Sequence, residues 1–370
     1  MSAGVSLDCL QTPALLLDVG RLEHNVREMA DLCHTHGKAL RPHVKSHKTI
    51  EIAARQRQLG AVGLTAAKLG EAEVFADAGF DDLFICYPLV GAGKLRRLMM
   101  LAQRVRVSTI VDDVDAATEL AAAARAAETT IEVLLKIDLG MHRVGVAEPQ
   151  VDRLAHAVAT LSGLSLRGVC IHEGETYGEP DPAQRRTLAR ERVGRLVEIA
   201  ERLRRQGLAI DVVSSGATPA VRDVVDIDGL TELRPGNYVF YDAMQAGLGV
   251  VPEDRCALSV LATVVSRAGE GRAIIDAGAK ALTLDRGVHG LELLEGYGRP
   301  RSRSDVTITA LSEEHGWLLV APGSDLRVGD RLEIVPNHAC AVVDNFDGLT
   351  LVERGAPAGE WSVAARGRMT

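Results

Sequence analysis

The stretch that decides the fold covers residues 166–217 and reads LRGVCIHEGETYGEPDPAQRRTLARERVGRLVEIAERLRRQGLAIDVVSSGA. It begins and ends with short apolar runs, as expected of strands that are buried on both faces. Between these runs, Asp181 and Pro182 predict the N-cap and first residue of a helix, which Gly207 ends. A strand, a helix and a second strand in this order predict a unit with parallel strands.

The same alternation of strands and helices extends on both sides of this stretch. Helical patterns such as GEAEVFADAG lie between short apolar runs. The predicted strands are PALLLDV, ALRPHVK, VGLTAAK, DLFICYPL, RVSTIVDD, IEVLLKIDLG, LRGVCIHEG and IDVVSSGA. The units span roughly 240 residues, close to the size of a (β/α)8 barrel, and they predict that fold. A doubly wound sheet is the alternative that the pattern leaves open.

The pattern changes after about residue 250 to short strands separated by turn residues, without long helical periods. The runs are CALSVLATVVSRA, RAIIDAG, TITALSEEHGWLLV, DRLEIVPNHACAVV and LTLVERG. We therefore predict a barrel over 1–248 and a mostly antiparallel β domain over 249–370. The N-terminal strand is a candidate member of the β domain.

Composition narrows the class of protein. The chain of 370 residues has a formal net charge of -8 and no basic tract, which argues against nucleic acid as a partner. Hydrophobic residues make up 46% of the chain, enough for a sizeable core, yet no run reaches the roughly 18 apolar residues of a membrane span. The N-terminus does not resemble a signal peptide, and the cysteines form no CxxC pair, so we expect a cytoplasmic protein.

Lys45 is the candidate nucleophile. It lies in ALRPHVKSHKT at the end of a predicted strand, and the carboxyl ends of barrel strands meet at the active site. Burial there, together with the nearby cations Arg41 and Lys48, would favour the neutral amine. A neutral amine is what Schiff-base chemistry needs, whereas a solvated surface lysine is the ordinary alternative.

Two small-residue loops after later strands are candidate phosphate sites. VVSSGATP (212–219) contains Thr218, and LRPGNYVFYD (233–242) contains Gly236 and Asn237. Small residues let backbone N–H groups approach an anion, and a threonine hydroxyl adds a donor. Ordinary turns share this composition, so the prediction depends on the two loops occurring together where barrels often bind phosphate.

Three more polar residues follow predicted strands. Arg143 in IDLGMHRVGV carries a guanidinium that suits an anionic ring or a carboxylate. IHEGETYG places His172 and Tyr177 at the end of another predicted strand, and Tyr177 could hydrogen-bond a cofactor or a substrate. An ordinary loop residue is the alternative in each case.

His338 and Cys340 in IVPNHACAVVD are the candidate metal ligands. In an extended strand, residues i and i+2 project from the same face, so the imidazole and the thiolate could share one ion. Histidine plus thiolate suits Zn²⁺, with water or substrate in the remaining positions. A buried cysteine beside a hydrogen-bonded histidine is the alternative.

Eight segments together carry a resemblance to a known family. They are RPHVKSHKT, VGLTAAKLGEAE, IDLGMHRVGV, SSGATP, ELRPGNYVFYD, DAGAKALTLD, SEEHG and PNHAC. Over about residues 10–355, the chain resembles the D-threonine aldolase/D-serine dehydratase family of fold-type III pyridoxal-phosphate (PLP) enzymes. The resemblance implies an alanine-racemase-type barrel, a C-terminal β domain, a homodimer, a divalent metal and D-configured 3-hydroxy amino acids as substrates.

The resemblance also assigns roles to residues. It implies that Lys45 carries PLP, and the predicted metal ligands are His338 and Cys340. The predicted catalytic residues are Lys45, Tyr177 and His172. The predicted cofactor-binding residues are Lys45, Arg143, Tyr177, Thr218, Gly236 and Asn237.

The metal motif indicates which reaction to expect. Aldolases of this family tend to show a His-Cys-Asp type of motif and dehydratases His-x-Cys, and here Ala341 follows Cys340. We therefore expect a dehydratase that uses PLP and Zn²⁺, with Mn²⁺ as the other candidate metal. It would convert D-serine, D-threonine or 3-hydroxy-D-aspartate to a 2-oxo acid and ammonia. The alternatives are an aldolase giving glycine and an aldehyde, an amino-acid racemase, and a PLP carrier without catalysis.

Overall fold

A computed structural model describes residues 6–267, 269–289 and 291–370. The chain forms two compact units, each discontinuous in sequence. Unit 1 contains the residues up to Arg27, Ser46–Glu51 and Asn237–Arg366, and unit 2 contains Glu28–Lys45, Ile52–Gly236 and Gly367–Thr370. Unit 1 thus resumes at Asn237, ahead of the predicted domain boundary at 248/249. The first five residues of the predicted barrel domain lie outside the described residues.

Strands and helices alternate in the first part of the chain, and strands predominate later. In chain order, the strands are β1 (Ala14–Asp18), β2 (Ala39–Leu40), β3 (Leu64–Ala66), β4 (Asp82–Pro88), β5 (Arg106–Val111), β6 (Ile131–Asp138), β7 (Val146–Ala147), β8 (Leu164–Cys170), β9 (Val212–Ser215), β10 (Glu232–Leu233), β11 (Leu258–Ser266), β12 (Arg272–Ile275), β13 (Arg299–Pro300), β14 (Val306–Leu311), β15 (Gly316–Val320), β16 (Arg331–Val335), β17 (Gly348–Glu353) and β18 (Ala356–Ser362). The α-helices are α1 (Val19–Thr35), α2 (Ile50–Gln58), α3 (Leu69–Asp77), α4 (Ala92–Ala102), α5 (Val114–Ala126), α6 (Val151–Ala159), α7 (Pro182–Arg205), α8 (Val221–Val224), α9 (Ala243–Gly247), α10 (Ala279–Leu282) and α11 (Ala339–Val343).

The sheet of unit 2 is a closed barrel. Its main path of eight parallel strands runs β2-β10-β9-β8-β6-β5-β4-β3, and β7 pairs with β6 beside it. The two ends of this path meet, because the amide of Thr65 donates to the carbonyl of Pro42 at 2.8 Å and Thr65 forms a parallel bridge with His43. The predicted (β/α)8 barrel is therefore confirmed, and the doubly wound alternative is wrong.

Two strands differ from the predicted barrel set. PALLLDV forms β1, which pairs antiparallel with β11 and parallel with β17 in unit 1. The eighth barrel strand is β10, which consists only of Glu232 and Leu233. Two residues are too few to produce a periodic apolar signal, so the sequence pattern could not reveal this strand.

The barrel interior is packed with side chains from successive strands. Phe84, Ile110, Leu134 and Cys170 form a buried cluster there. Because alternate residues of a strand share a face, the residues two positions further along β4, β6 and β8 also point inward. Those residues are Cys86, Lys136 and His172, and they lie near the carboxyl ends of the strands, where barrel active sites are built.

The clearest predicted helix is confirmed as α7. The carboxylate of Asp181 accepts hydrogen bonds from the amides of Ala183 and Gln184 at 2.8 and 2.9 Å, as an N-cap does. The helix ends at Arg205, just before Gly207, whose φ of 86° suits glycine. Among the described residues, neither α7 nor any other helix is long and apolar enough to span a membrane.

Unit 1 is built on a mostly antiparallel sheet, which confirms the predicted architecture. The strands follow the order β14-β15-β12-β11-β1-β17-β18, while β16 pairs with β11 and β13. Among the described strands of this sheet, only β1 and β17 pair in parallel. The predicted strand DRLEIVPNHACAVV is shorter in the structure, because β16 ends at Val335 and α11 begins at Ala339.

Candidate active site

Lys45 lies one turn beyond its predicted strand. The strand β2 ends at Leu40, and Lys45 belongs to a single 3-10 turn, Val44–Ser46. His43 orders the start of this turn: its Nδ1 accepts from the amide of Lys45 at 3.4 Å, and its own amide donates to the carbonyl of Pro235 at 2.9 Å. The half-buried Lys45 still lies at the carboxyl end of the barrel.

The two cations predicted to act on Lys45 are paired with carboxylates. Arg41 lies 2.5 Å from Asp82 and 2.8 Å from Glu232. Lys48, in unit 1, lies 2.7 Å from Asp344. These carboxylates balance the positive charges of Arg41 and Lys48.

His172 follows β8 and is held by the loop after β9. Its Nδ1 lies 2.6 Å from the carbonyl oxygen of Gly216, and because a carbonyl only accepts, Nδ1 carries the proton. Burial of the ring lowers the pKa of His172 well below its usual value, and the positive charges of Lys45, Lys136 and Arg143 add to this effect. The neutral ring therefore has a lone pair on Nε2 that can accept a proton or a hydrogen bond.

Thr218 begins a short 3-10 helix, Thr218–Ala220, two residues after Gly216. Its hydroxyl is buried and has no hydrogen-bond partner within the described part of the chain. A Cβ placed on Gly216 would lie 2.8 Å from the backbone of Arg234. The loop is therefore close-packed, and it keeps one buried polar group available for a ligand.

Tyr177 and Arg143 differ in their surroundings. Tyr177 is buried within the 3-10 helix Gly174–Gly178, and its ring centroid lies 6.5 Å from that of His172. Arg143 is exposed on a loop shaped by Asp138, whose carboxylate accepts from the amides of Gly140 and His142 at 3.0 Å each. Unit 2 thus groups His172, Tyr177 and the Thr218 loop, while Arg143 contributes charge from a solvent-exposed position.

The sequence analysis missed three buried charged residues of the barrel. Lys136 on β6 is 4% exposed, and its Nζ has no hydrogen-bond partner among the described residues. The guanidinium of Arg234 donates to Ser214 and, at 2.7 Å, to the carbonyl of Ile171. Glu173 is buried and accepts from Ser215 at 2.5 Å. The sequence did contain a signal for Lys136, because a lysine inside the apolar run IEVLLKID indicates a buried charge.

The phosphate candidates Gly236 and Asn237 belong to different units. In unit 1, the Nδ2 of Asn237 donates to Asp242 at 2.6 Å and lies 3.9 Å from the sulfur of Cys340. The side chain of Asn237 therefore faces the candidate metal ligands, which leaves its backbone N–H as the group that could meet a phosphate.

The strand geometry predicted for His338 and Cys340 is wrong. His338 is the N-cap of α11, and Cys340 lies in the first turn of that helix. The strand stops before them because Pro336 cannot donate to a ladder and Asn337 turns its amide towards the carbonyls of Asp285 and Gly296, both at 2.9 Å. The imidazole and thiol nevertheless meet through a hydrogen bond.

Other groups of unit 1 orient this pair. The Nδ1 of His338 lies 2.8 Å from the carboxylate of Asp285, and the thiol of Cys340 donates to the hydroxyl of Ser46 at 3.1 Å. Burial opposes protonation of His338, but hydrogen bonds to Asp285 and Cys340 and the charge of Asp242 raise its pKa to about 10. A carboxylate on one ring nitrogen is the usual partner of a metal-binding histidine, with the other nitrogen left for the ion.

The described residues provide few further metal donors. Nowhere in 6–267, 269–289 and 291–370 do three or more His, Cys, Asp or Glu side chains group so as to hold a metal. A metal bound by His338 and Cys340 would therefore need water or substrate as its other ligands, as an open catalytic site does.

Comparison with known proteins decides the family. Residues 17–243 match the family model of the alanine racemase N-terminal domain, and residues 257–352 match a serine dehydratase domain. The D-threo-3-hydroxyaspartate dehydratase of Delftia sp. (strain HT23) is 37% identical over 95% of this chain and 97% of its own length. The chain belongs to the D-threonine aldolase/D-serine dehydratase family. The predicted resemblance is thereby confirmed, and this member of a fold-type III PLP enzyme family is a lyase.

Solved structures of the family agree with this assignment. The crystal structure of D-threonine aldolase from Filomicrobium marinum has a TM-score of 0.90 and 35% identity, and covers 99% of both chains. A D-threo-3-hydroxyaspartate dehydratase has been solved with a histidine replaced by alanine, and with a cysteine two positions later replaced by alanine in the metal-free form. These structures have TM-scores of 0.90 and 0.89.

Proposed function

We propose that this enzyme is a PLP- and zinc-dependent dehydratase that converts a D-3-hydroxy amino acid to a 2-oxo acid and ammonia. The hydrogen-bonded pair of His338 and Cys340 carries the proposal. Its spacing equals that of the histidine and cysteine altered in the solved D-threo-3-hydroxyaspartate dehydratase. Ala341 follows, where the aldolase type of motif would have aspartate. The named substrate of that relative makes 3-hydroxy-D-aspartate the leading candidate, beside D-serine and D-threonine.

The side chains of unit 2 fit PLP. Lys45 supplies an amine, and the buried Nζ of Lys136 and Oγ1 of Thr218 are polar atoms without a hydrogen-bond partner among the described residues. Buried polar groups of this kind are costly unless a ligand satisfies them, and an anionic cofactor suits both. When bound, PLP supplies an electron sink for negative charge at the substrate Cα. We propose that Lys45 anchors it, and the proposed contacts are Arg143, Tyr177, Thr218, Gly236 and Asn237.

The remaining roles follow from the chemistry of the side chains. The amine of Lys45 would take the proton from Cα, and the neutral His172 would accept a proton or hydrogen bond at Nε2. Tyr177 would donate or hold a proton at its phenolic oxygen. In unit 1, the thiolate of Cys340 and the imidazole of His338, oriented by Asp285, suit Zn²⁺ better than a hard ion. An ion held there supplies a Lewis acid for the departing β-hydroxyl.

An aldolase is the second candidate. The family includes the D-threonine aldolase of Arthrobacter sp., which is 33% identical over 98% of this chain, as well as the Filomicrobium structure. The same lysine and metal pair could serve a retro-aldol cleavage in which a base takes the β-hydroxyl proton and the Cα–Cβ bond breaks.

Product identification tests the proposal. Purified enzyme with PLP and either Zn²⁺ or Mn²⁺ would be given D-serine, D-threonine and both diastereomers of 3-hydroxy-D-aspartate, with the L-amino acids as controls. We expect ammonia and a 2-oxo acid in equal amounts, and faster turnover with Zn²⁺. Glycine and an aldehyde forming faster than ammonia would replace the dehydratase assignment with the aldolase.

We further propose that the enzyme is a cytoplasmic homodimer. The family resemblance supports the dimer, and the scattered cysteines, which form no CxxC pair, suit a reducing compartment. Analytical ultracentrifugation should give a mass near twice 39.5 kDa. A monomer mass at the concentrations used for activity would contradict the dimer.

A further inference from the structure

Two cysteines meet inside the barrel of unit 2. Cys86 lies on β4, two residues after the inward-facing Phe84, and Cys170 is the last residue of β8. Cys86 packs against the buried cluster that contains Cys170, although β5 and β6 separate their strands in the sheet. Cys170 is fully buried, whereas Cys86 is partly exposed. A small reagent can therefore reach one member of the pair.

Cationic side chains from three elements act on Cys86. Lys136 extends from β6, with its buried Nζ free of hydrogen-bond partners among the described residues. Arg234 follows β10, and Lys45 lies in the turn after β2. The negative charge of Glu173 acts on both Lys136 and Arg234. The hydroxyl of Ser215 and the amide of Gly216 donate hydrogen bonds to the Glu173 carboxylate.

These surroundings favour a thiolate at Cys86. The neighbouring Cys170 thiol lowers the pKa of Cys86, burial opposes this, and the charges of Arg234, Lys136 and Lys45 help to carry it well below the usual value for a thiol. Burial raises the pKa of the Cys170 thiol, which leaves it a donor. Cys86 is thus the reactive sulfur, and Cys170 is the neighbouring thiol that supports it, as in redox-sensitive cysteine sites.

We propose that Cys86 is a reactive thiolate and a site of reversible oxidation by hydroperoxides. With hydrogen peroxide, its sulfur attacks one oxygen, an S–O bond forms, the O–O bond breaks, and the departing hydroxide takes a proton to become water. The sulfur loses two electrons to give a sulfenic acid, and the peroxide gains them. Two equivalents of an external thiol return Cys86 to the reduced state, with release of water and a disulfide.

Site-resolved labelling of the purified full-length protein tests this proposal. Limiting iodoacetamide at pH about 7, followed by peptide mass spectrometry, should alkylate Cys86 before the exposed Cys9, because the thiolate is the nucleophile. After hydrogen peroxide, dimedone should add to Cys86, and prior dithiothreitol should prevent the adduct. Faster labelling of Cys9, or a dimedone adduct confined to Cys340 or another cysteine, would overturn the proposal.

Variants give the matched controls. Cys86→Ser should abolish the dimedone adduct, and Cys9→Ser should leave it unchanged. Lys136→Met should raise the pKa of the Cys86 thiol, so that alkylation of Cys86 at pH values below the native pKa slows by about tenfold for a rise of about one unit, and Lys136→Arg should restore the rate. An unchanged rate in a folded Lys136→Met protein would contradict the role of this cation. If that variant does not fold, the rate of alkylation against pH in the native protein decides, because a rate for Cys86 that rises only above pH about 8 would refute the thiolate.

Discussion

At the scale of single residues, the identity of the PLP-binding lysine is open to a direct test. Borohydride reduction of the purified enzyme should fix the cofactor on the peptide that contains Lys45, because an amine at the carboxyl end of a barrel strand is placed for Schiff-base chemistry. Lys45→Ala should lose the label, while Lys68→Ala, which changes a half-buried lysine over the ring of Tyr87, should keep it. Label on Lys136 would move the anchor to the other barrel lysine.

Asp285 is predicted to act on the metal through His338. Asp285→Asn should weaken zinc binding by roughly 10- to 100-fold, because a carboxylate partner orients a metal-binding imidazole and increases its basicity. Zinc content after dialysis against competing chelator measures the effect. Asp325→Asn changes a largely exposed carboxylate paired with Arg303 and should have no effect. Equal zinc content in the two variants would exclude the proposed role.

The raised pKa of His338 predicts a pH-dependent stability in metal-free protein. Between an unfolded pKa of about 6.5 and a folded pKa of about 10, the folded chain binds more protons than the unfolded chain. The free energy of unfolding contributed by this group is therefore present in full below pH about 6.5 and falls as pH rises towards about 10. Urea unfolding in the presence of chelator should show this fall, and His338→Gln should reduce the slope.

At the scale of elements, the loop after β9 and the helix α7 give opposite predictions for the same substitution. Gly216→Ala places a Cβ 2.8 Å from the backbone of Arg234, so we expect weaker PLP binding and lower stability. Gly194→Ala meets nothing within 4 Å on α7 and should stabilise the protein by roughly 0.5–1 kcal/mol, since alanine favours a helix interior. Thermal unfolding and titration with PLP separate the two effects. Equal behaviour of the variants would show that the loop tolerates a side chain.

One strand predicted from the sequence, DRLEIVPNHACAVV, is a shorter strand followed by a short helix in the structure. The run DRLEIVPNHACAVV has apolar residues on both sides of its middle, and periodicity cannot distinguish a short strand from a short buried helix in such a run. The strand ends before His338 because of Pro336 and because the side chain of Asn337 donates hydrogen bonds to carbonyls 41 and 52 residues away. Partners that distant leave no trace in a local pattern.

At the scale of the whole molecule, the candidate PLP anchor Lys45 belongs to unit 2, and the candidate metal ligands His338 and Cys340 belong to unit 1. Chelation should therefore leave the absorbance of bound PLP intact while it abolishes turnover of D-3-hydroxy amino acids. Cys340→Ala should behave in the same way, and added Zn²⁺ should restore only the native protein. Loss of PLP on chelation would show that metal and cofactor bind as one unit.

The sequence by itself determined the repeated strand–helix units, the change to β structure after about residue 250, and the family. Each of these features is indicated by local periodicity or by motifs of a few residues, so residues close together in the chain are enough to predict it. The same local signal identified Lys45 as the candidate anchor, and that residue stays a prediction until labelling tests it.

Only the tertiary structure decided which distant residues meet. It joined β1 to β11 and β17, completed the barrel with the two residues of β10, and placed Asp285 against His338 across 53 positions of sequence. It also brought Cys86 and Cys170 together in the barrel interior. Burial, hydrogen bonding and charge depend on which residues are neighbours in space. Closure of a sheet brings together segments that are distant in the chain, and the local sequence pattern of one segment does not indicate which other segment it will contact.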